Sequence, residues 1–277
     1  TEAMSGVSIV NQFIFVFNLL VFGAVSAAGI FTAQYHGSGD VEGVRHTFRF
    51  KFIANLLLSL IGIGIFALGG ERLIGLYLQG DGDPAHAAQI LFYGKKYLAV
   101  MMIGFVPFAL SGAYASTLRE SGQTTVPMVA GVIAVFVNLV LNYVLIFGHL
   151  GLPALGAEGA AIATVVSRFA ELAVVASWTH LNPAKNPFIR GAYRSLYIPG
   201  KLLRSITIKG MPLLINEFFW ASGMAILNQS YSTCGLDVVP AMNISSTLYN
   251  LGSVVFLAMG NSVGIRMGQM LGAGLSK

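Results

Sequence analysis

Apolar residues fill seven long stretches of the chain, each as long as the roughly 20 residues a bilayer-crossing helix needs. They cover approximately residues 7–34, 52–70, 97–117, 126–147, 159–180, 206–235 and 238–268. Charge is sparse inside them: Arg168 and Glu171 in the fifth, Lys209 and Glu217 in the sixth, and Arg266 near the end of the seventh. The pattern predicts an all-α polytopic membrane protein with seven transmembrane helices.

Composition narrows the class further. Of 277 residues, 55% are hydrophobic and only 10% charged, with a mean hydropathy of +0.74, against about 25% charged in a soluble domain. That excludes an ordinary soluble enzyme, a nucleic-acid binder and a disordered chain, and makes the lipid bilayer the expected partner. The net charge of +5 then reads as a topology signal rather than as affinity for nucleic acid.

Placement of the basic residues bears on orientation. Arg45, Arg49, Lys51, Arg119, Lys185, Arg190, Arg194, Lys201, Arg204, Lys209, Arg266 and Lys277 fall on one side of the alternation, and Arg72, Lys95 and Lys96 on the other. Positive charge collects on the cytoplasmic side. The expectation is therefore a cytoplasmic 182–205 loop and residue 1 outside, in the cell membrane. The lone cysteine, Cys234, excludes an internal disulfide. No H-E-x-x-H, G-x-S-x-G or G-x-x-x-x-G-K-[ST] motif occurs, so neither an enzyme, nor an ATP-driven pump, nor a cofactor is expected. The chain opens on Thr1 without a secretory signal, and both ends read as cut.

The first and last stretches align without gaps at an offset of 235 residues. Identities fall at Ile9/Ile244, Gly29/Gly264, Ile30/Ile265, Gln34/Gln269, Gly37/Gly272 and Gly39/Gly274, five of them in a shared G-I-x-x-x-Q-x-x-G-x-G ending. An even helix offset gives both copies one orientation, so the expected relation is a parallel pseudo-twofold about the membrane normal. The unit is then a six-helix lobe: residues 1–181 form a first lobe lacking one helix, 182–205 an inter-lobe linker, and 206–277 the start of a second lobe. Small residues at every fourth position, 25-29-33-37 and 260-264-268-272, suit close helix packing.

Ionisable groups within a span are costly and mark candidate sites. Arg168 and Glu171 stand three apart on one helix face, where they either neutralise each other or act in gating. Glu217 has no basic neighbour within a turn; it serves as a proton or Na⁺ site, or stays protonated between helices. Asn216 is adjacent, and Pro212 frees a helix carbonyl. Asn138 and Asn142 share a face four residues apart, suited to ligating a cation or to bonding between helices. Phe136, Tyr143, Phe218, Phe219 and Trp220 either line a cleft for aromatic or cationic compounds or face lipid. No metal other than Na⁺ is expected.

Three motifs carry a resemblance. Leu118-Arg-Glu-Ser-Gly-Gln-Thr-Thr-Val-Pro127, then Asn138-Leu-Val-Leu-Asn142-Tyr-Val-Leu-Ile-Phe-Gly148, then Gly156-Ala-Glu-Gly159-Ala-Ala-Ile-Ala-Thr164-Val-Val-Ser-Arg168 follow in order. They are similar to the fourth-to-sixth helix motifs of the multidrug and toxic compound extrusion (MATE) family. The resemblance extends over essentially the whole chain, including Gly210-Met-Pro212, and maps it to the second to eighth of twelve family helices. It implies a Na⁺- or H⁺-coupled antiporter exporting organic cations or drugs by alternating access, monomeric at full length. It places Asn142 where some branches carry a titrating aspartate, with Thr164 near that site, and Trp220 where some carry a glutamate. Two other readings are a lipid-linked saccharide flippase of the same superfamily, which needs a cationic cavity, and a seven-helix receptor or retinal protein. A retinal protein needs a lysine in its last span, and residues 238–265 contain none.

Overall fold

The computed structural model describes residues 2–78, 84–149, 151, 153–232 and 238–275. Its helices are α1 (Glu2–Gly37), α2 (Val41–Tyr77), α3 (Pro84–Ile103), α4 (Phe105–Glu120), α5 (Thr125–Phe147), α6 (Gly156–Leu181), α7 (Gly200–Ser232) and α8 (Val238–Gly272), with one 3-10 turn at Pro187–Ile189. All seven predicted stretches are helical. Most helices exceed their predicted bounds, because the polar ends of the rods extend past the apolar run that signalled them. Residues 233–235 at the end of the sixth stretch, with Cys234, lie outside the described residues, as do Thr1 and Lys277.

One predicted helix is two. The 97–117 stretch breaks at Gly104, where α3 and α4 meet at a 41° bend. Pro107 explains the break: it has no N–H to donate to the carbonyl one turn back, and its ring crowds that carbonyl. Gly104 also lets α6 approach, since a Cβ there would meet Val165 Cγ2 at 3.1 Å.

Five helices are long and apolar enough to cross a membrane among the described residues, and six if the bent α3–α4 pair is one span. The all-helical membrane architecture agrees with the expectation; α7, 33 residues long, is the one predicted span outside this set. Pro212, Asn216 and Glu217 interrupt its apolar run.

Helices α1, α2, α4 and α6 form the core, with α3 closing one side and α5 laid against α6. At one end Val10, Ile74, Tyr97, Leu98 and Met101 pack together. In the middle Phe17 stacks on Phe105 at 4.2 Å. At the other end Phe48, Tyr114, Leu118, Val175 and Phe188 are buried together. That end carries the α1–α2 turn, the α4–α5 turn and the α6–α7 loop, and hence most of the basic residues; we call it the basic end. Burial of a large apolar side chain is worth about 1.5–3 kcal/mol in water. Inside a bilayer the clusters owe more to close packing and interhelical hydrogen bonds.

The α6–α7 loop is strapped onto α2. Arg49, 7% exposed, donates from Nε to Ala192 O at 2.7 Å and from Nη2 to Gly191 O at 2.8 Å. Arg45 Nε reaches Phe188 O at 3.1 Å, and Gln123 Nε2 reaches Lys185 O at 2.9 Å. Tyr193 hydrogen-bonds Tyr114; burial, then that neighbour, push its phenol well above the ordinary tyrosine range.

The repeat is visible in the backbone. After α1, Asp40 N donates to Tyr35 O at 2.9 Å, with Gly39 at φ 76°. After α8, Leu275 N donates to Met270 O at 3.0 Å, with Gly274 at φ 74°. Each pair of positions is separated by the 235-residue offset. Both are six-to-one helix terminations, which place glycine in the left-handed region. The two helices cross at the basic end, where Gly37 lies on Gln269 O and Gly272 lies on Gln34 O. Such reciprocal contacts are what a half-turn between two copies produces.

Candidate functional site

Asn138, Asn142 and Thr164, predicted on separate grounds, meet between α5 and α6. Asn142 Nδ2 donates to Asn138 Oδ1 at 2.9 Å, Asn138 Nδ2 to Thr164 Oγ1 at 3.3 Å, and the Thr164 hydroxyl to Ala160 O at 2.9 Å. The chain runs one way and leaves one acceptor over: Asn142 Oδ1 is buried without a hydrogen-bond partner. A buried amide oxygen without a donor costs about 1–3 kcal/mol, so this is an acceptor poised for a cation, a proton donor or water.

α6 continues the polar line. Arg168 and Glu171 pair at 3.2 Å, as their spacing predicts, and the Arg168 guanidinium lies 4.9 Å from the centre of the Phe108 ring. Thr164 and Arg168 line a cavity of about 40 Å³, together with Ile14 and Asn18 of α1 and with Gly104, Phe105 and Phe108 at the α3–α4 break. That volume admits water or a small cation, not a drug. The break therefore has a positional role: it opens the helix wall beside Thr164 and Arg168 of α6.

The α7 candidates are not joined to this cluster. Glu217 is half-buried, and Asn216, Phe218, Phe219 and Trp220 are exposed. Glu217 makes no hydrogen bond or ion pair among the described residues. Phe136 and Tyr143 are also exposed, Tyr143 stacking on His149 at 4.5 Å.

The list of ionisable groups within the helices is longer than the sequence suggested. Lys51 was expected in a loop and Glu120 beyond a helix end; both lie inside helices, Lys51 fully buried and Glu120 6% exposed. They form an ion pair. Lys51 Nζ also donates to Ser116 Oγ at 2.7 Å, and Ser116 to Glu120 Oε1 at 2.9 Å. The Ser116/Glu120 spacing of four was the available signal, hidden by ending the helix at 117. Asn18 carries no charge and belongs to none of the motifs, so nothing in the sequence singled it out.

Comparison with known proteins bears on the family and the fold. The family model MatE matches residues 1–144. The chain is 28% identical over 269 residues to a probable multidrug resistance protein NorM of Thermotoga maritima, covering 95% of this chain and 54% of that one. It is 27% identical to the probable multidrug resistance protein YoeA of Bacillus subtilis, covering 98% and 58%. The chain thus spans little more than half the length of these relatives. Its fold matches a MOP superfamily transporter from Pyrococcus furiosus with a TM-score of 0.83 at 22% identity, covering 99% of this chain and 58% of that one. An outward-facing multidrug resistance MATE family transporter matches with a TM-score of 0.81 at 22% identity, over 99% and 58%. With half the chain matched by the family model and the repeat, motifs and fold in agreement, this chain belongs to the MatE family.

Proposed function

We propose that the full-length protein exports organic cations or drugs in exchange for Na⁺ or H⁺. The observation that carries the reading is the unpartnered Asn142 Oδ1, buried within a polar line from Asn142 to Arg168. An ion-coupled transporter needs a site whose occupancy changes with conformation, and an intramembrane acceptor left one ligand short is such a site. The names of the relatives, multidrug resistance proteins, support drug-like cargo.

In this reading residues 1–181 belong to the first lobe, 182–205 to the linker and 206–277 to the second lobe, with the basic end in the cytoplasm of the cell-membrane-embedded protein. Glu217 is a second, separate ion or cargo carboxylate, with Asn216 and Trp220 beside it in the cleft. The saccharide flippase reading is weaker, because Arg168 is paired with Glu171 and gives its cavity no net positive charge.

The test is ethidium efflux by the full-length protein in proteoliposomes under an imposed Na⁺ or pH gradient. One gradient should drive efflux, and Asn142→Ala should reduce it at least tenfold with insertion intact. Efflux indifferent to both gradients, or untouched by the substitution, overturns the proposal.

A further inference from the structure

Contacts between α8 and the first six helices are concentrated at the basic end. Gly37 sits on the carbonyl of Gln269, Gly272 on that of Gln34, and a Cβ at Gly268 would stand 2.9 Å from that of Ala33, its own counterpart in the repeat. Ala33 is 2% exposed there. Farther along α8 toward its start, Leu248, Tyr249, Phe256 and Leu257 are all exposed. The two helices thus meet at the basic end and part toward the other.

Gln269 does more than pack. Its Nε2 donates to the main-chain carbonyl of Glu120 at 2.7 Å. That carbonyl belongs to the last residue of α4, one of the terminal acceptors that a helix leaves unpaired. The residue bearing it is held rigidly, its carboxylate fixed by buried Lys51 and by Ser116. Gln34 is the counterpart of Gln269 in the repeat.

We infer that the α1–α8 crossing closes the cytoplasmic side of the transport path, and that Gln269 latches it on Glu120, with Lys51 and Ser116 as the positioning residues behind the latch. This rests on the transport reading above. In the structure α1 and α8 are in contact at the basic end; to release cargo or take it up there, Gly37 and Gly272 must leave Gln269 and Gln34, and the Gln269–Glu120 bond must break. Ala33, enclosed when the crossing is closed, becomes accessible to water when it opens.

The experiment uses the full-length protein with its other cysteines, Cys234 among them, replaced by serine and a single probe introduced as Ala33→Cys. A membrane-impermeant maleimide is applied to the basic side of vesicles and the labelling rate is read. Adding Gln269→Met, which keeps the shape but loses the donor, should speed labelling roughly fivefold, the equivalent of one net hydrogen bond. Gln269→Lys, which restores a donor, should label at the parent rate. Gly272→Ala, which pushes on Gln34 without touching the bond, should also speed labelling and serves if Gln269→Met does not fold. Labelling at the parent rate in Gln269→Met overturns the latch, and labelling at the parent rate in Gly272→Ala overturns the closure at the crossing. Ethidium efflux by the Ala33→Cys parent is measured alongside: its absence counts against the transport reading, whereas the labelling rates judge the closure alone.

Discussion

Gly37 of α1 lies directly on the main-chain carbonyl of Gln269 in α8, and Gly272 of α8 lies in the same way on that of Gln34. Neither glycine has room for a Cβ. Because the two contacts are copies of each other, Gly37→Ala and Gly272→Ala should be equally harmful, each lowering stability by about 1–3 kcal/mol through overpacking. Gly131→Ala, where nothing lies within 4 Å, should be neutral or slightly stabilising. Thermal unfolding of the full-length protein in detergent compares the three; a large difference between the first two would show that the crossing is not reciprocal.

The Lys51–Glu120 pair is deeply buried, so breaking it from one side is expensive. Lys51→Met leaves the Glu120 carboxylate without its counter-charge and should cost about 3–5 kcal/mol. The double variant Lys51→Met/Glu120→Leu should recover most of that, since well-packed apolar residues often replace a buried ion pair at little cost. A double variant as unstable as the single one would mean that the pair supplies more than its own neutralisation.

Arg49 binds the α6–α7 strap through main-chain carbonyls. Hydrogen bonds from a charged donor are worth about 1.5–3 kcal/mol each, so Arg49→Ala should free the strap locally without unfolding the helices. Limited trypsin digestion should then cut after Arg190 or Arg194 at least about ten times faster than in the parent. An unchanged digestion rate would place the hold on the strap elsewhere, in the Phe188 packing.

Asn142 separates stability from function. Its side chain gives one hydrogen bond and keeps one acceptor idle, so Asn142→Ala should cost only about 1 kcal/mol of stability. Ion-driven efflux should nonetheless fall at least tenfold. A loss of efflux that simply tracks a collapse in stability would assign Asn142 to packing.

The sequence carried much of the molecule openly. Apolar runs locate the rods, though without separating α3 from α4, because a bilayer imposes a length on whatever crosses it. The 235-residue repeat, read from six identities, reappears as two matching helix ends and a reciprocal crossing. Asn138 and Asn142 were legible because polar residues at helical spacing in apolar surroundings have few reasons to be there, whereas Thr164 was marked only by the resemblance to the family. What the sequence hid is equally instructive. The Pro107 break lay inside an apolar run whose hydropathy gave no sign of it. Lys51 and Glu120 sat just past the estimated limits of their helices, and there a charged residue reads as loop. The Gln269 bond to Glu120 joins side chain to main chain across 149 residues, and no local pattern announces a contact of that kind.

The strap sets how α7 can travel. Arg49 and His46 also hold Tyr197 O, at 3.4 and 3.2 Å, and α7 begins at Gly200. Only Ile198 and Pro199 intervene, a leash of roughly 7 Å at full stretch. The base of α7 is thus moored to α2: it can swivel about its foot but not slide away, so any excursion of the helix grows with distance from that anchorage and is greatest at its far tip.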